Sequence, residues 1–211
     1  MVFYTYATIS EKKTPLPPHI DAYLVSSPPK SRQARHAVLS LLSSLAQSAN
    51  LPLDFPIRVT PFGKPFFDSP NAPHFNLSHS GDIVAVALGN TPVGIDVQEW
   101  SDSLQLHRLA LRYFSKNEQQ DFLCSPNSKR SFFELWTKKE ALGKYLGEGL
   151  LPTLGNDTDA LAKTYAVRFE TLHFLQNGKS YTLSVCSKEL PQKISISDST
   201  QKRAVAFTHS P

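Results

Sequence analysis

The chain has 211 residues, 22 Lys and Arg against 18 Asp and Glu, and a formal net charge of +4, so it is long enough to bury a sizeable core as one domain or as two small subdomains packed together. Hydrophobic residues at 40%, charged ones at 19%, 16 Pro and 9 Gly exclude a disordered tract or a fibre and mark a globular chain with many proline-punctuated loops. The charge suits an anionic small ligand or an acidic protein partner, but it lacks the dense Lys/Arg stripe of a nucleic-acid binder, so no nucleic-acid partner is expected.

Cys124 and Cys186 lie too far apart for a zinc or redox motif, and both read as core filler rather than a disulfide. The first residues, Met1-Val2-Phe3-Tyr4-Thr5-Tyr6, form no charged leader followed by an apolar run, and no apolar segment approaches membrane-spanning length. A cytoplasmic setting without membrane contact is expected.

Residues 2–9 alternate apolar and small polar side chains and predict a strand; a Pro-rich loop and a second short strand-like run over 20–25 follow. From Ser31 to Ala49 the pattern turns helical, with Val38, Leu39, Leu41, Leu42 and Leu45 as its buried stripe. Lys30, Arg32, Arg35 and His36 gather at its start. Cations in a first helical turn oppose the macrodipole, and a bound anion among them would explain the placement as well as a solvated basic turn does.

Residues 52–73 are loop-rich, with a short strand at Ile57-Arg58-Val59 and a fixed turn at Gly63-Lys64-Pro65. Phe75-Asn76-Leu77-Ser78, residues 82–88 and residues 92–97 predict three strands of an antiparallel meander, the last carrying Asp96. A helix over 104–113 follows, then a capping box at Ser115-Lys116-Asn117-Glu118 and a long helix over 128–146. A loop over 147–160 leads to strands expected at 165–174, 180–186, 194–197 and 204–208. The pattern is that of an α+β protein in two similar halves, 1–95 and 96–211, each an antiparallel sheet packed with helices.

The long helix organises the chemistry. Phe132, Phe133, Leu135, Trp136, Leu142, Tyr145 and Leu146 recur at helical spacing, while Trp136, Glu140 and Lys144 fall in one row. Glu followed four residues later by Lys is also the ordinary exposed helix pair. Asp96 closes an apolar strand in which Gly94 permits close backbone approach. Paired in space with Glu140 it makes half of a Mg²⁺ site, since Mg²⁺ takes one or two carboxylates, waters and phosphate oxygens. His79, between Ser78 and Ser80, offers an anion contact together with Lys64 and the basic start of the first long helix.

The series Gly63-Lys64-Pro65, Phe75-Asn76-Leu77-Ser78-His79-Ser80-Gly81, Val93-Gly94-Ile95-Asp96-Val97, Arg112-Tyr113-Phe114-Ser115 and Trp136-Thr137-Lys138-Lys139-Glu140-Ala141-Leu142-Gly143-Lys144 resembles the 4′-phosphopantetheinyl transferase superfamily in its long, monomeric, surfactin-synthetase-activating type. The signatures follow the family's order and spacing. The resemblance implies a pseudo-dimer of two α+β subdomains with coenzyme A in the cleft between them. It implies transfer of the phosphopantetheine arm to a serine of an acyl or peptidyl carrier protein in fatty-acid, polyketide or nonribosomal peptide synthesis, releasing adenosine 3′,5′-bisphosphate. By matching position, Asp96 and Glu140 bind Mg²⁺ (or Mn²⁺) and Lys144 meets the leaving phosphate. Lys64, Ser78 and His79, joined by Arg35 or His36 and by Lys139, hold coenzyme A.

One departure matters: where many members carry an acidic residue two positions after the strand aspartate, this chain has Gln98. An amide offers a metal a carbonyl oxygen but no charge, so weaker metal affinity is expected. Glu99 points to the other face of the strand. The competing reading keeps the fold without the chemistry: a non-catalytic protein that binds coenzyme A or carrier domains.

Overall fold

The computed structural model describes residues 1–9, 15–25, 32–102 and 105–196. Its centre is β5 (Ile83–Gly89), a run buried at every position, which is how a strand covered on both faces reads. Val84, Val86 and Leu88 face one apolar cluster, and Ile83, Ala85 and Ala87 face another. β5 pairs antiparallel with β1 (Val2–Thr8) on one side and β4 (His74–Ser80) on the other, and the short β9 (Gln192–Lys193) adds parallel to β1.

On the first face lie α1 (Pro18–Val25) and α2 (Arg32–Ala49), whose Val38, Leu39, Leu41, Leu42 and Leu45 are buried as the spacing predicts. Fully burying each such leucine stabilises the fold by roughly 1.5–3 kcal/mol. On the second face a three-stranded antiparallel sheet packs, in the order β6 (Val93–Glu99), β8 (Lys179–Ser187), β7 (Arg168–Gln176). Val93, Ile95 and Val97 of β6 and Tyr181, Leu183 and Val185 of β8 close the core between the sheets. The outer face of this second sheet receives α5 (Ser128–Leu146), so the layers run helix, sheet, sheet, helix. α3 (Leu106–Tyr113) and α4 (Lys116–Cys124) pack on α5 through Ala110, Phe114, Phe122, Phe132 and Phe133. The molecule is an α+β protein built on antiparallel sheets, as expected.

Local signals explain many boundaries. The Ser115 capping box closes both ways with Glu118. α5 starts at Asn127, whose side chain accepts from Arg130 N at 3.0 Å, and stops at Gly147 in the left-handed region. β2 (Ile57–Val59) pairs with β3 (Pro65–Phe67) across a turn held by Thr60 N to Lys64 O at 2.9 Å.

Several expectations are corrected. Residues 20–25 are helical rather than a strand, because Pro17 O accepts the Ile20 and Asp21 amides and only Ile20 and Leu24 are buried, four apart. The meander ends at β5: β6 leaves the first sheet and pairs with β8. Part of the expected loop 147–160 and of the strand beginning at 165 is α6 (Thr158–Tyr165), capped by Asp157 accepting from Ala160 N. Cys186 is buried as expected, but Cys124 is exposed at the end of α4. The expected strand 194–197 is not found at 194–196; a two-residue strand lies just before it at Gln192–Lys193, with Ile194 N bonding Tyr4 O at 2.9 Å, and Ser197 lies outside the described residues. Lys30 and residues 204–208 lie outside the described residues. The division at residue 95 falls within β6. No helix among the described residues is long and apolar enough to cross a membrane.

Candidate functional site

Gly94 sets the geometry. A Cβ there would sit 1.9 Å from Ala141 O and 2.5 Å from Tyr145 N, so only glycine lets the last turns of α5 lie directly on β6. Val93, Ile95 and Val97 point into the intersheet core, so the period of two places Asp96 and Gln98 on the opposite face, toward α5.

There Lys144 reaches across. Its ammonium donates to Asp96 Oδ1 at 2.7 Å, Ser78 Oγ at 3.1 Å and Ile95 O at 3.1 Å, using all three donors. Asp96 is almost fully buried; Oδ1 also accepts from Ser78 Oγ at 2.9 Å and Oδ2 from Gln98 Nε2 at 3.0 Å. An unpaired carboxylate at this depth would be costly, and these contacts compensate it.

Ser78 belongs to a row that sequence reading missed. Alternate β4 residues satisfy the free edge of β6: Asn76 Oδ1 accepts from Ile95 N at 2.8 Å, Ser78 Oγ from Val97 N at 3.2 Å and Ser80 Oγ from Glu99 N at 2.9 Å. Side chains thereby replace the backbone ladder between the sheets, and a buried edge keeps its partners. The signal was present as three short polar residues at spacing two, Asn76, Ser78 and Ser80.

A cleft of about 250 Å³ opens beside this network, lined by Phe62, Lys64, Asn76, Glu140, Lys144, Gly147 and Gly149 among others. Burial raises the Glu140 carboxyl above its usual range and the neighbouring Asp96 charge adds to this, while Lys144 opposes it. Lys64 sits on the wall with its ammonium 2.5 Å from Lys144 O and 3.4 Å from both Tyr145 O and Val93 O. It therefore caps the C-terminal carbonyls of α5, and burial lowers its pKa to about 8.

Of the remaining expected residues, His79 follows Ser78 on β4. Burial lowers its pKa, and the charges of Lys144 and Arg35 act in the same direction, which puts Arg35 of α2 within electrostatic reach of the site. His36 is half-buried beside Arg35 in sequence and is not among the cleft-lining residues. Lys139 is placed elsewhere, a correction to its expected cofactor contact: its side chain is fully buried, 2.9 Å from Glu118 Oε2, 3.1 Å from Thr153 O and 2.5 Å from Asn156 O. One position from Glu140 on a helix is about 100° round the axis, enough to turn a neighbour into the core.

The chain is similar to several known proteins. Over 103 residues the chain is 42% identical to the 4′-phosphopantetheinyl transferase psf-1 of Bacillus pumilus, covering 48% of this chain and 43% of that protein. It is 34% identical over 149 residues to the 4′-phosphopantetheinyl transferase gsp of Aneurinibacillus migulanus, covering 63% and 61%. It is 41% identical over 93 residues to the 4′-phosphopantetheinyl transferase Sfp of Bacillus subtilis (strain 168), covering 42% and 40%. The matches thus span less than two thirds of these relatives' lengths. A family model matches residues 92–208, which is more than half of the chain and includes both Asp96 on β6 and the Glu140–Lys144 turn of α5, so the chain belongs to the 4′-phosphopantetheinyl transferase superfamily.

Proposed function

We propose that this chain transfers the 4′-phosphopantetheine arm of coenzyme A to a serine of an apo carrier protein, releasing adenosine 3′,5′-bisphosphate. The observation that carries the reading is the meeting of Asp96, Glu140 and Lys144 beside one cleft, from a strand and a helix held together at Gly94.

The oxygen donors beside the cleft bear on Mg²⁺ through their chemistry. Among the described residues no group of three or more His, Cys, Asp or Glu could hold a metal. What is present is two carboxylates close enough for Asp96 to raise Glu140, with the Gln98 amide against Asp96; rotating that amide would present its oxygen. Two carboxylates and an amide suit a hard cation that keeps several waters, so Asp96, Glu140 and Gln98 would hold Mg²⁺ or Mn²⁺. When bound, the cation neutralises pyrophosphate charge.

The chain's own groups supply the rest. The serine oxygen attacks the phosphorus bearing the pantetheine arm, and the bond from that phosphorus to the leaving bisphosphate breaks. Charge grows on the leaving oxygen, where the Lys144 ammonium stabilises it. Glu140, beside the cleft, takes the serine proton. Arg35, with the His79 imidazole and the Ser78 hydroxyl, forms the side that receives the 3′-phosphate end. Lys64 supports that end of the cleft from its seat on α5.

In this proposal the chain is a monomer of two similar subdomains, 1–95 and 96–211, and acts in the cytoplasm on an acidic carrier. The reading without chemistry is favoured by one feature, the Gln98 amide on the carboxylate oxygen Asp96 Oδ2. Intact-protein mass spectrometry decides between them. Apo carrier proteins are incubated with the protein, coenzyme A and Mg²⁺, with Glu140→Ala as control. A gain of one phosphopantetheine arm, lost in the variant, supports transfer; coenzyme A binding without mass gain on any carrier leaves the binding protein.

A further inference from the structure

Directly next to Glu140 in sequence, Lys139 heads the most deeply buried ionic network among the described residues. Its three donors are all engaged, by Glu118 Oε2, Thr153 O and Asn156 O. Glu118 is saturated in turn: Oε2 accepts from Ser115 N at 2.7 Å, and Oε1 from Thr158 N at 2.9 Å and Thr158 Oγ1 at 2.5 Å. Burial works against the ionised Glu118, but the bonds from Thr158, Lys139 and Ser115 hold its pKa below the usual carboxylate range.

These contacts converge on one segment. Residues 147–157 leave α5, pass through the turn Leu151–Thr153 and enter α6. Lys139 holds two of the segment's carbonyls and Glu118 holds the amide and hydroxyl of Thr158 just beyond it. The other end of the same segment lines the cleft through Gly147 and Gly149, together with Lys64, Glu140 and Lys144. An independent contact seats it on the helix: a Cβ at Gly143 would lie 2.1 Å from Gly149 O and 3.2 Å from Leu150 Cα.

We infer that Lys139 and Glu118 are positioning residues that clamp segment 147–157 against α5 as a wall of the cleft, so that they set its affinity for the bound coenzyme without touching it. The functional arm of this inference rests on the coenzyme A reading given above. The clamp itself does not.

The test uses the full chain with two variants. Glu118→Gln with Lys139→Met removes both charges together, so neither is left buried alone; Gly143→Ala displaces the wall from the other side and leaves the ion pair intact. Hydrogen exchange is followed by mass spectrometry, and coenzyme A affinity by calorimetry. Expected in both variants are faster exchange over 147–157, retained protection over 132–142, a Kd for coenzyme A raised about ten-fold to hundred-fold by the misplaced wall, and kcat at saturating coenzyme A within about three-fold of wild type, since Asp96 and Lys144 stay in place. Unchanged protection over 147–157 in both variants overturns the clamp. Faster exchange with unchanged coenzyme A affinity overturns its role at the cleft and leaves a structural pair only. Wild-type protein that binds no coenzyme A overturns the proposed function instead, and the exchange arm then decides the clamp alone.

Discussion

The two halves of α5 carry the same local pattern and use it differently. In the first half Glu134 and Lys138 stand four residues apart and close on each other at 2.7 Å. In the second half Glu140 and Lys144 have the same spacing, but Lys144 turns away to Asp96 on β6, to Ser78 on β4 and to Ile95 O. What differs is what faces the helix. Opposite Glu134 the second sheet presents His173, with Nε2 at 3.4 Å from Glu134 Oε2 and Nδ1 at 3.0 Å from Thr182 Oγ1. Opposite Lys144 it presents a buried carboxylate, brought near by the glycine at 94. A spacing of four residues therefore determines which side chains can meet along a helix, while the facing layer decides whether they do.

The contrast should break first at Lys144. Lys144→Met leaves Asp96 buried without its cation, and we expect a loss of about 3 kcal/mol in urea unfolding together with at least a ~10²-fold fall in carrier modification measured by mass spectrometry. A loss as small as that of an exposed pair would mean that the two halves of α5 are alike after all. Gly94→Ala acts on the same half through shape. The added methyl meets the Ala141 carbonyl, and overpacking against backbone should cost about 2 kcal/mol, with transfer falling as α5 moves off β6.

The first half of the helix responds to acid. Hydrogen bonding from His173, then from Lys138, outweighs burial and holds Glu134 down to about 2, against 4.5 for a free glutamate. As pH falls the unfolded chain takes up this proton first, so the contribution of Glu134 is fully present above about 4.5 and is lost as pH drops toward 2. The stability difference between wild type and Glu134→Gln should accordingly shrink across that window in a series of urea midpoints; a difference independent of pH would remove the ionic character of this half. Smallest of all is Lys138→Met, for which about 0.3 kcal/mol is expected in the same unfolding assay at neutral pH. A loss near that of Lys144→Met would overturn the comparison from the other side.

Much of the site was legible before any coordinates. The stripe of Val38, Leu39, Leu42 and Leu45, the capping box at Ser115 and the limits of α5 all follow from local rules of spacing, capping and alternation, and each is observed; the strand that carries Asp96 is observed too, but it runs on to Glu99, so Asp96 lies at its middle rather than its end. The order of short motifs from Gly63 to Lys144 carried the family, because glycine, carboxylate and lysine positions repeat with the chemistry they serve. Even the role of Gly94 could be anticipated, since a glycine within an apolar strand implies close approach.

What remained was decided by pairs of distant residues. The helix at Pro18–Val25 and α6 at Thr158–Tyr165 are short segments, for which local pattern is weak and packing wins. The departure of β6 to β8 depended on a strand that occurs some eighty residues later. Lys139 and Lys144 sit on one helix and are both basic, yet one is held by Glu118 in the core and the other faces Asp96 beside the cleft. Residue type and helical spacing are local properties that the sequence contains outright. The partner of a charge and the side of a sheet are properties of the packed layers, settled only when desolvating each group is offset by the groups that the fold brings to meet it.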